Sequence, residues 1–266
     1  MEELNTLYNQ DCLLGMQQLP SESIDLVVTD CPYHIVGGGC GKDTNPSGIL
    51  NKEREYVKGA DGKTYLKGTK HQSLGGVFDD AVADVRAGKL FKYNDIQFSD
   101  WLPEVYRVLK DRTHCYIMVN GRNLAQLQIE AEKVGFIYQQ TLVWRKDNVV
   151  MNKYYMNQLE FILMLRKGAA KNVNDMGISN CLSVPNIIGK GKDHHPTAKP
   201  VSLMSVFIRQ SSNKGDIVLD PFAGGGSTLI AAKQLERQYI GFEIDPRYYK
   251  MASNRLFHQP QQTSLF

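Results

Sequence analysis

The sequence predicts a doubly wound α/β fold, with a mostly parallel sheet that is covered by helices on both faces. Apolar runs of strand length alternate with segments of helical periodicity through most of the 266 residues. Two of the apolar runs end on a carboxylate, one at Asp30 and the other at Asp220. A glycine-rich turn then joins the second run to a helix, and such connections lie at the edge where open α/β sheets bind their ligands.

The individual elements follow from local periodicity and end signals. The predicted strands are 4–8, 24–29, 115–119, 136–144, 160–165, 216–219 and 238–242. The predicted helices are 13–19, 98–109, 124–134, 200–209, 227–235 and a last one that begins at Pro246. Asp245 is the expected N-cap of that last helix, because its carboxylate can accept from unpaired backbone N–H groups.

Two long segments show no sustained period. Residues 34–76 combine glycines, lysines and the turn signal Asp61-Gly62, which indicates a long loop or a small insertion. Residues 167–193 are similarly irregular and basic. Basic segments of this kind can neutralise phosphates, although a solvated loop is the alternative. We therefore expect one domain over 1–266, with 34–76 and 167–193 as loops or insertions and 257–266 as a flexible tail.

Composition limits the class of protein. With 42% hydrophobic and 22% charged residues, the chain resembles a soluble globular protein. It has no apolar run of membrane-span length and no signal peptide, which favours a cytoplasmic location. The five cysteines are odd in number and widely spaced, which favours free thiols. A metal site is not expected, because its candidate ligands include no CxxC pair; they are Cys31, His34, Cys40 and His71.

The glycine turn predicts a nucleotide-like ligand. Glycines allow close approach of the backbone, and the helix after Gly226 offers free N–H groups at its first turn. Glu243 ends the next strand 23 residues after Asp220, which is close to the spacing at which a carboxylate meets ribose hydroxyls. The GxGxxG spacing of NAD dehydrogenases is absent. S-adenosylmethionine suits these groups, with Asp220 as an acceptor for a ligand amino group.

The other strand end predicts chemistry on an exocyclic amine of a nucleobase. Such an amine is a poor nucleophile until acceptors hold both of its N–H bonds and localise its lone pair. The Asp30 carboxylate is one acceptor, and the Cys31 carbonyl, freed by a turn at Pro32, is the other. Tyr33 would stack on the base. A base in a duplex must first be flipped out, after which positioning and electrostatics carry most of the catalysis.

These motifs resemble the beta class of amino-group DNA methyltransferases, in which the catalytic motif precedes the cofactor motif. Residues 30–33 are similar to the family's Asp-Pro-Pro-Tyr, and Cys31 replaces its first proline. Residues 220–228 resemble its cofactor loop, and residues 195–200 resemble the segment that precedes that loop. The resemblance implies a permuted, Rossmann-like methyltransferase sheet. It also implies transfer to adenine N6, because this family favours Asp at position 30 for adenine and Ser for cytosine N4, which stays the alternative.

The resemblance and the glycine turn together give the expected site residues. The catalytic residues are Asp30, Cys31, Pro32 and Tyr33. Those expected around S-adenosylmethionine are Asp11, Cys12, His195, Thr197, Lys199, Asp220, Phe222, Gly224, Gly226, Ser227 and Glu243. Arg122, Arg145 and Lys146 lie near strand ends and are the expected phosphate contacts on double-stranded DNA.

Other interpretations differ in class. A non-catalytic DNA-binding module of the same fold would lack the paired acceptors or the cofactor carboxylate, whereas this chain has Asp30, Asp220 and Glu243. Methylation of a protein or metabolite amine is less favoured, because the irregular segments are basic. The tail at 262–266, Gln-Thr-Ser-Leu-Phe, resembles the peptide that docks on bacterial sliding clamps, although a frayed terminus is the simpler interpretation. A homodimer, a nucleoid association and a pairing with a restriction nuclease stay open.

Overall fold

A computed structural model describes residues 3–32, 56–58, 64–66, 96–150, 154–186 and 198–258, with the backbone alone at 56–58, 64–66 and 150. The chain divides into two compact units. The first falls within Met1–Tyr33, Ile96–Asn148 and Gln158–Phe266, and the second falls within His34–Asp95 and Val149–Asn157. In the second unit, β3 (Tyr56–Lys58) and β4 (Thr64–Leu66) form an antiparallel pair, inside the segment that the sequence marks as irregular.

The first unit is built on a sheet of eight strands in the described residues. In chain order these are β1 (Thr6–Tyr8), β2 (Ile24–Asp30), β5 (Leu109–Val119), β6 (Ile137–Val150), β7 (Asn157–Lys167), β8 (Cys181–Ser183), β9 (Ile217–Asp220) and β10 (Gln238–Phe242). Their order across the sheet is β1-β10-β9-β2-β5-β7-β6-β8. The first five strands in this order, β1, β10, β9, β2 and β5, run parallel to one another, and β7 runs antiparallel to β5. The predicted mostly parallel sheet is therefore confirmed.

Six described helices cover the sheet. They are α1 (Cys12–Gln18), α2 (Phe98–Val108), α3 (Leu124–Val134), α4 (Val201–Ser211), α5 (Ser227–Gln234) and α6 (Pro246–His258). Apolar side chains of α1, α2 and α3 pack in one buried cluster, and those of α4, α5 and α6 pack in another. Strand β2 serves both, since Val27 faces the first cluster and Leu26 and Val28 face the second. The fold is therefore wound on both faces, as the sequence predicts.

The main differences from the predicted elements occur where polar residues interrupt an apolar pattern. Strand β5 begins at Leu109 rather than at 115, because Lys110, Asp111 and Arg112 extend it through solvent-facing positions. Strand β6 continues past 144 to Val150 in the same way. The three-residue strand β8 lies within a segment that shows no period in the sequence.

Helix ends follow their capping chemistry. Pro200 is the N-cap of α4 rather than its first residue, and α3 ends at Gly135, whose φ of 112° is left-handed. Helix α6 begins at Pro246 as expected but runs through His258, so residues 257 and 258 are helical and the remainder of the predicted tail lies outside the described residues. No helix in the described part of the chain combines the length and apolar character that crossing a membrane requires.

Candidate active site

The two carboxylate-ended strands are neighbours in the sheet. Strands β2 and β9 pair through Leu26 with Val218 and Val27 with Leu219, and they end at Asp30 and Asp220. From β9 the chain passes through α5 to β10 on one side, whereas β5 lies on the other side of β2. The direction of winding therefore changes between β9 and β2. Ligands of open α/β sheets bind at this switch point, beyond the carboxyl ends of the strands.

The glycine turn after β9 has the backbone conformation that only glycine adopts readily. Gly224 and Gly226 have φ values of 49° and 76°, and Gly226 is the N-cap of α5. A Cβ at Gly226 would also lie 3.0 Å from the Cβ of Ala252 in α6. The Gly225 carbonyl accepts a hydrogen bond from the Arg255 guanidinium, also in α6. The turn is thus fixed from behind, in a conformation that lets a ligand approach the backbone closely.

Glu243 follows β10 and lies against this turn. Its Oε2 accepts from the Gly224 N–H at 2.9 Å, and its Oε1 accepts from the Asp245 N–H at 2.7 Å. Burial raises the pKa of Glu243, and these two backbone donors partly oppose that effect. A carboxylate offers about four lone-pair sites, so each oxygen keeps capacity for a hydroxyl donor. This geometry fits the expected ribose contact.

Asp220 is buried and joins β9 to β2. Its Oδ1 accepts from the Thr29 hydroxyl at 2.7 Å and from the Phe222 N–H at 3.1 Å. Burial raises the pKa of Asp220 to about 6, and hydrogen bonds from Thr29, Thr228 and the Phe222 N–H oppose the shift. The carboxylate is only 2% exposed. Its contacts therefore brace the switch point from within, and sequence reasoning missed Thr29, which lies inside an apolar run.

One polar atom at the turn lacks a partner within the described residues. The hydroxyl of Ser227, the first residue of α5, is buried and makes no hydrogen bond there. Buried hydroxyls are nearly always bonded, so an orphan at the head of a helix fits a site that a polar ligand completes. Together with the Gly224–Gly226 turn and the spare acceptors of Glu243, Ser227 fits the polar groups of S-adenosylmethionine.

Asp11 and Cys12 lie beyond β1, which pairs with β10. Asp11 is the N-cap of α1 and accepts from the Leu13 N–H at 2.7 Å. The Cys12 thiol is buried, and desolvation raises its pKa to about 12. The Glu243 N–H donates to the Tyr8 carbonyl at 3.0 Å, which links the ends of β10 and β1. Asp11 and Cys12 therefore lie beyond the linked ends of β1 and β10, near Glu243, where the resemblance implies a cofactor contact.

Asp30 ends β2 beside a lysine. The Lys199 ammonium, just before α4, donates to Asp30 Oδ2 at 2.6 Å and is 9% exposed. It also lies 3.5 Å from Glu160 Oε2 at the start of β7, and Lys146 donates to the other Glu160 oxygen at 3.0 Å. Burial raises the pKa of Asp30, and the Lys199 charge opposes the shift. Lys199, expected at the cofactor, bonds Asp30, which is the carboxylate expected to meet the base.

Cys31 has its side chain in the core. Its Sγ lies 3.3 Å from the Met118 carbonyl of β5, and the residue is 2% exposed. Burial holds the pKa of the thiol well above its usual range, so the thiol is not a nucleophile at neutral pH. Replacement of the family's proline by cysteine therefore adds a weak thiol hydrogen bond to β5 and leaves the expected carbonyl role independent of the side chain.

The remaining expected residues divide by exposure. Phe222 is half-buried, with its ring 5.1 Å from that of Trp101 in an edge-to-face contact. Arg122 and Arg145 are exposed, as phosphate contacts require. Lys146 is buried and paired with Glu160, so a surface phosphate contact does not fit it in this conformation. Tyr33, His195 and Thr197 lie outside the described residues.

Glu160 was also missed as a site residue. The sequence marks it only as the first residue of an apolar strand. Because β7 is antiparallel to β5, with Phe161 opposite Val119, the start of β7 lies at the edge where β5 and β2 end. A hairpin between the two apolar runs at 136–144 and 160–165 is the signal that could have placed Glu160 at this edge.

Four of the five cysteines lie within the described residues. The four described cysteines are Cys12, Cys31, Cys115 and Cys181, and all are free thiols. Within the described ranges, no group of three or more His, Cys, Asp or Glu side chains could hold a metal ion. The other members of the alternative metal set are outside these ranges; they are His34, Cys40 and His71.

The sequence has curated relatives over nearly its whole length. It is 28% identical to the DNA adenine methyltransferase YhdJ of Escherichia coli (strain K12) over 292 residues, which covers 96% of this chain and 83% of YhdJ. It is also 28% identical to the type II methyltransferase M.HinfI of Haemophilus influenzae over 274 residues, which covers 95% of this chain and 68% of M.HinfI.

Solved structures show the same fold. The M1.HpyAVI–SAM complex superposes with a TM-score of 0.61 at 23% identity and covers 94% of this chain and 98% of that one. The cytosine-N4-specific PvuII DNA methyltransferase superposes with a TM-score of 0.64 at 17% identity and covers 99% of this chain and 89% of that one. The predicted Rossmann-like methyltransferase fold is thereby confirmed.

The family follows from the sequence match that spans the crevice and both strand ends. Residues 24–254 match the profile of a family described as DNA methylase, N6_N4_Mtase. That range includes Asp30, the glycine turn and Glu243, and methylases of this kind use S-adenosylmethionine. The resemblance inferred from three short motifs is confirmed, and the chain belongs to the N6/N4 DNA methylase family.

Proposed function

We propose that the chain transfers a methyl group from S-adenosylmethionine to N6 of a flipped adenine in DNA. The observation that carries the proposal is the position of Asp30 at the switch point, next to the strand that leads into the glycine turn. A carboxylate there can accept from an amino group that lies beside the bound cofactor. Bound S-adenosylmethionine supplies an electrophilic methyl group on a positively charged sulfur.

The chain's own groups divide the work. On the cofactor side, the spare lone pairs of Glu243 bind and orient the cofactor, the glycine turn allows its close approach, and Ser227 gains its missing partner. On the base side, Asp30 and the Cys31 carbonyl accept the two amino N–H bonds and direct the nitrogen lone pair out of conjugation. Asp220 holds the two sides in register through Thr29. Fixing two reactants in this way is worth several kcal/mol of barrier, roughly 7–11 in favourable cases.

Adenine is favoured over cytosine by Asp30 and by the activity for which one relative is named. YhdJ, a DNA adenine methyltransferase, is 28% identical to this chain, whereas the cytosine-N4-specific PvuII enzyme is 17% identical. Incubation of the chain with S-adenosylmethionine and mixed-sequence duplex DNA, followed by mass spectrometry of the nucleosides, distinguishes the two products. We expect N6-methyladenine, and N4-methylcytosine as the main product would replace adenine by cytosine in the proposal.

The role of Asp30 is tested by Asp30→Asn, which keeps the shape and removes the charge. We expect a loss of at least about 100-fold in methylation rate, comparable to the loss of one key electrostatic contact. Cofactor affinity, measured by calorimetry, should stay within about 3-fold of the parental value, because the substitution removes no contact with the cofactor. A 3-fold change is well below the tenfold change that corresponds to about 1.4 kcal/mol. Methylation at the parental rate would refute the mechanism.

DNA contacts are proposed for the exposed Arg122 and Arg145, and no longer for Lys146. Each arginine that binds a phosphate should add close to one unit to the slope of log affinity against log salt concentration. Replacing either by Gln should reduce that slope without changing which sequence is methylated. An unchanged slope in both variants would remove these residues from the interface.

Three predictions about partners and location rest on the sequence alone. The clamp-like peptide at 262–266 lies outside the described residues, and a pull-down with purified clamp against a chain that lacks it would test the contact. Sedimentation would test a homodimer. A cytoplasmic location with nucleoid association can be tested by microscopy of a fluorescent fusion, and a diffuse signal would contradict association with the nucleoid.

A further inference from the structure

Four charged side chains form a continuous chain that begins at the proposed catalytic carboxylate. Lys199 bonds Asp30 at 2.6 Å, lies 3.5 Å from Glu160, and Glu160 is bonded to Lys146 at 3.0 Å. The two lysine side chains are 9% and 10% exposed, and the two carboxylate side chains are 26% and 27% exposed. The lysines are therefore buried and the carboxylates face partly outward.

This arrangement affects the strength of Asp30 as a hydrogen-bond acceptor for the substrate. Under the proposed function, Asp30 must accept an N–H bond from the target amino group. In the structure, its Oδ2 already accepts from the Lys199 ammonium at a short, charge-assisted distance. A carboxylate oxygen can accept a second hydrogen bond, but an ammonium is a stronger donor than the neutral amino group of a base, so the bond from Lys199 weakens this oxygen as an acceptor for the substrate.

Glu160 offers the lysine another acceptor. Its Oε2 lies 3.5 Å from Lys199 Nζ, which is an ion-pair contact but longer than a hydrogen bond. A movement of less than about 1 Å would bring this pair to the usual 2.8 Å of a charged hydrogen bond. Lys146 bonds the other oxygen of Glu160 and so holds this carboxylate in place.

We propose that Lys199 is a positioning residue that protects Asp30 before the base arrives and transfers its hydrogen bond to Glu160 when the target amino group binds. No covalent bond changes and no proton moves in this exchange. One N–H···O bond to Asp30 replaces another, and Lys199 gains a bond to Glu160. The inference rests on the proposed function and adds a residue pair that completes the base side of the site.

The local charges fit such an exchange. Two ammonium groups and two carboxylates balance, so the arriving base, which is neutral, leaves the total unchanged. Burial raises the pKa of Asp30 while Lys199 lowers it and Glu160 raises it, so the lysine favours the ionised form of the carboxylate. Within the described residues, Asp30 also interacts electrostatically with the carboxyl of Asp220 on β9 and the thiol of Cys31.

Glu160→Gln tests whether Glu160 accepts the hydrogen bond of Lys199 during the reaction or only supports the fold. Without a charged second acceptor, Lys199 should stay on Asp30, so the single-turnover methylation rate should fall by about tenfold or more. The acid limb of the pH–rate profile should move to lower pH, because a negative neighbour of Asp30 is lost. Cofactor affinity should not change. Glu160→Asp should recover part of the rate, and Glu236→Gln, which neutralises an exposed partner of Lys214, is the matched control.

Lys199→Met tests the other partner. The acid limb should move to higher pH, because the positive neighbour of Asp30 is lost, while cofactor affinity should stay near the parental value. If Lys199→Met instead weakened the cofactor by tenfold or more and left the acid limb in place, Lys199 would be a cofactor ligand. If Glu160→Gln matched the Glu236→Gln control in rate and pH profile, the transfer would be refuted.

A readout without activity keeps this inference separate from the proposed function. Carbon-13 NMR of the Asp30 carboxyl reports its titration in the protein without DNA. Its pKa should rise in Lys199→Met and fall in Glu160→Gln. An unchanged Asp30 titration in both variants would overturn the inference even if the chain methylates adenine. Conversely, a chain that methylates no DNA would refute the proposed function, while these two shifts would still establish the ion pair.

Discussion

Replacing Asp220 by asparagine should stabilise the folded chain at neutral and alkaline pH. Asparagine keeps the shape and an oxygen that can accept from Thr29 and the Phe222 N–H. Its NH2 group can donate to the Thr228 hydroxyl, whose side chain bonds Asp220. The variant therefore removes a buried negative charge without orphaning its partners.

The magnitude follows from the pKa of Asp220, which burial raises from 3.8 to about 6. Because the folded pKa is the higher one, the folded state binds this proton more tightly, and the associated stability is lost as pH rises through 6. A shift of roughly two units corresponds to about 3 kcal/mol at pH 8 and roughly half of that at pH 5. At 2% exposure, solvent does little to screen the charge.

Urea unfolding followed by tryptophan fluorescence measures the effect, since Trp101 and Trp144 are both buried. Asp220→Asn should unfold at higher urea than the parent at pH 8, and the difference should shrink at pH 5. Thr29→Val is the matched control. It removes a donor and keeps the charge, so it should destabilise by about 1.5–3 kcal/mol at pH 8. Asp220→Asn that is less stable than the parent at both pH values would refute the reasoning.

Three further predictions concern the glycine turn, the cofactor carboxylate and a buried histidine. Gly226→Ala should lower the free energy of unfolding by at least about 1 kcal/mol, because alanine is strained at this φ and meets Ala252; urea unfolding that matches the parent would contradict this. Glu243→Gln should weaken S-adenosylmethionine binding by about tenfold or more in calorimetry, whereas the Glu236→Gln control should not. His114 bonds Ser211, and burial lowers its pKa below 6.5, so His114→Gln should lose less stability than the parent in thermal unfolding as pH falls below 6.5.

Local signals were sufficient for most of the fold. Strands β2, β9 and β10 are each a short apolar run that ends at a carboxylate residue or directly before one. Each helix has a periodic apolar face or a cap such as Asp245. Alternation of such elements leaves few topologies, because crossovers are right-handed and neighbours in sequence tend to be neighbours in space. Strand β8 was not predicted, because a strand of three residues is too short to show a periodic pattern.

The site was only partly accessible to the same reasoning. Residues that act through backbone geometry, such as Gly224 and Gly226, can be recognised from their residue type, whereas residues that act through a distant partner cannot. Thr29 reaches Asp220 across 191 positions of the chain, and Lys199 reaches Asp30 across 169. Nothing near Thr29 or Lys199 in the sequence indicates the partner.

The sequence by itself determined the doubly wound sheet, its order of catalytic and cofactor halves, and the two strand ends at Asp30 and Asp220. These depend on apolar periodicity and turn chemistry, which act over a few residues. Only the tertiary structure decided which charges meet. It placed Lys199 against Asp30, buried Lys146 beside Glu160 and brought Glu160 to the same edge, because an antiparallel strand begins at the edge where its parallel neighbours end.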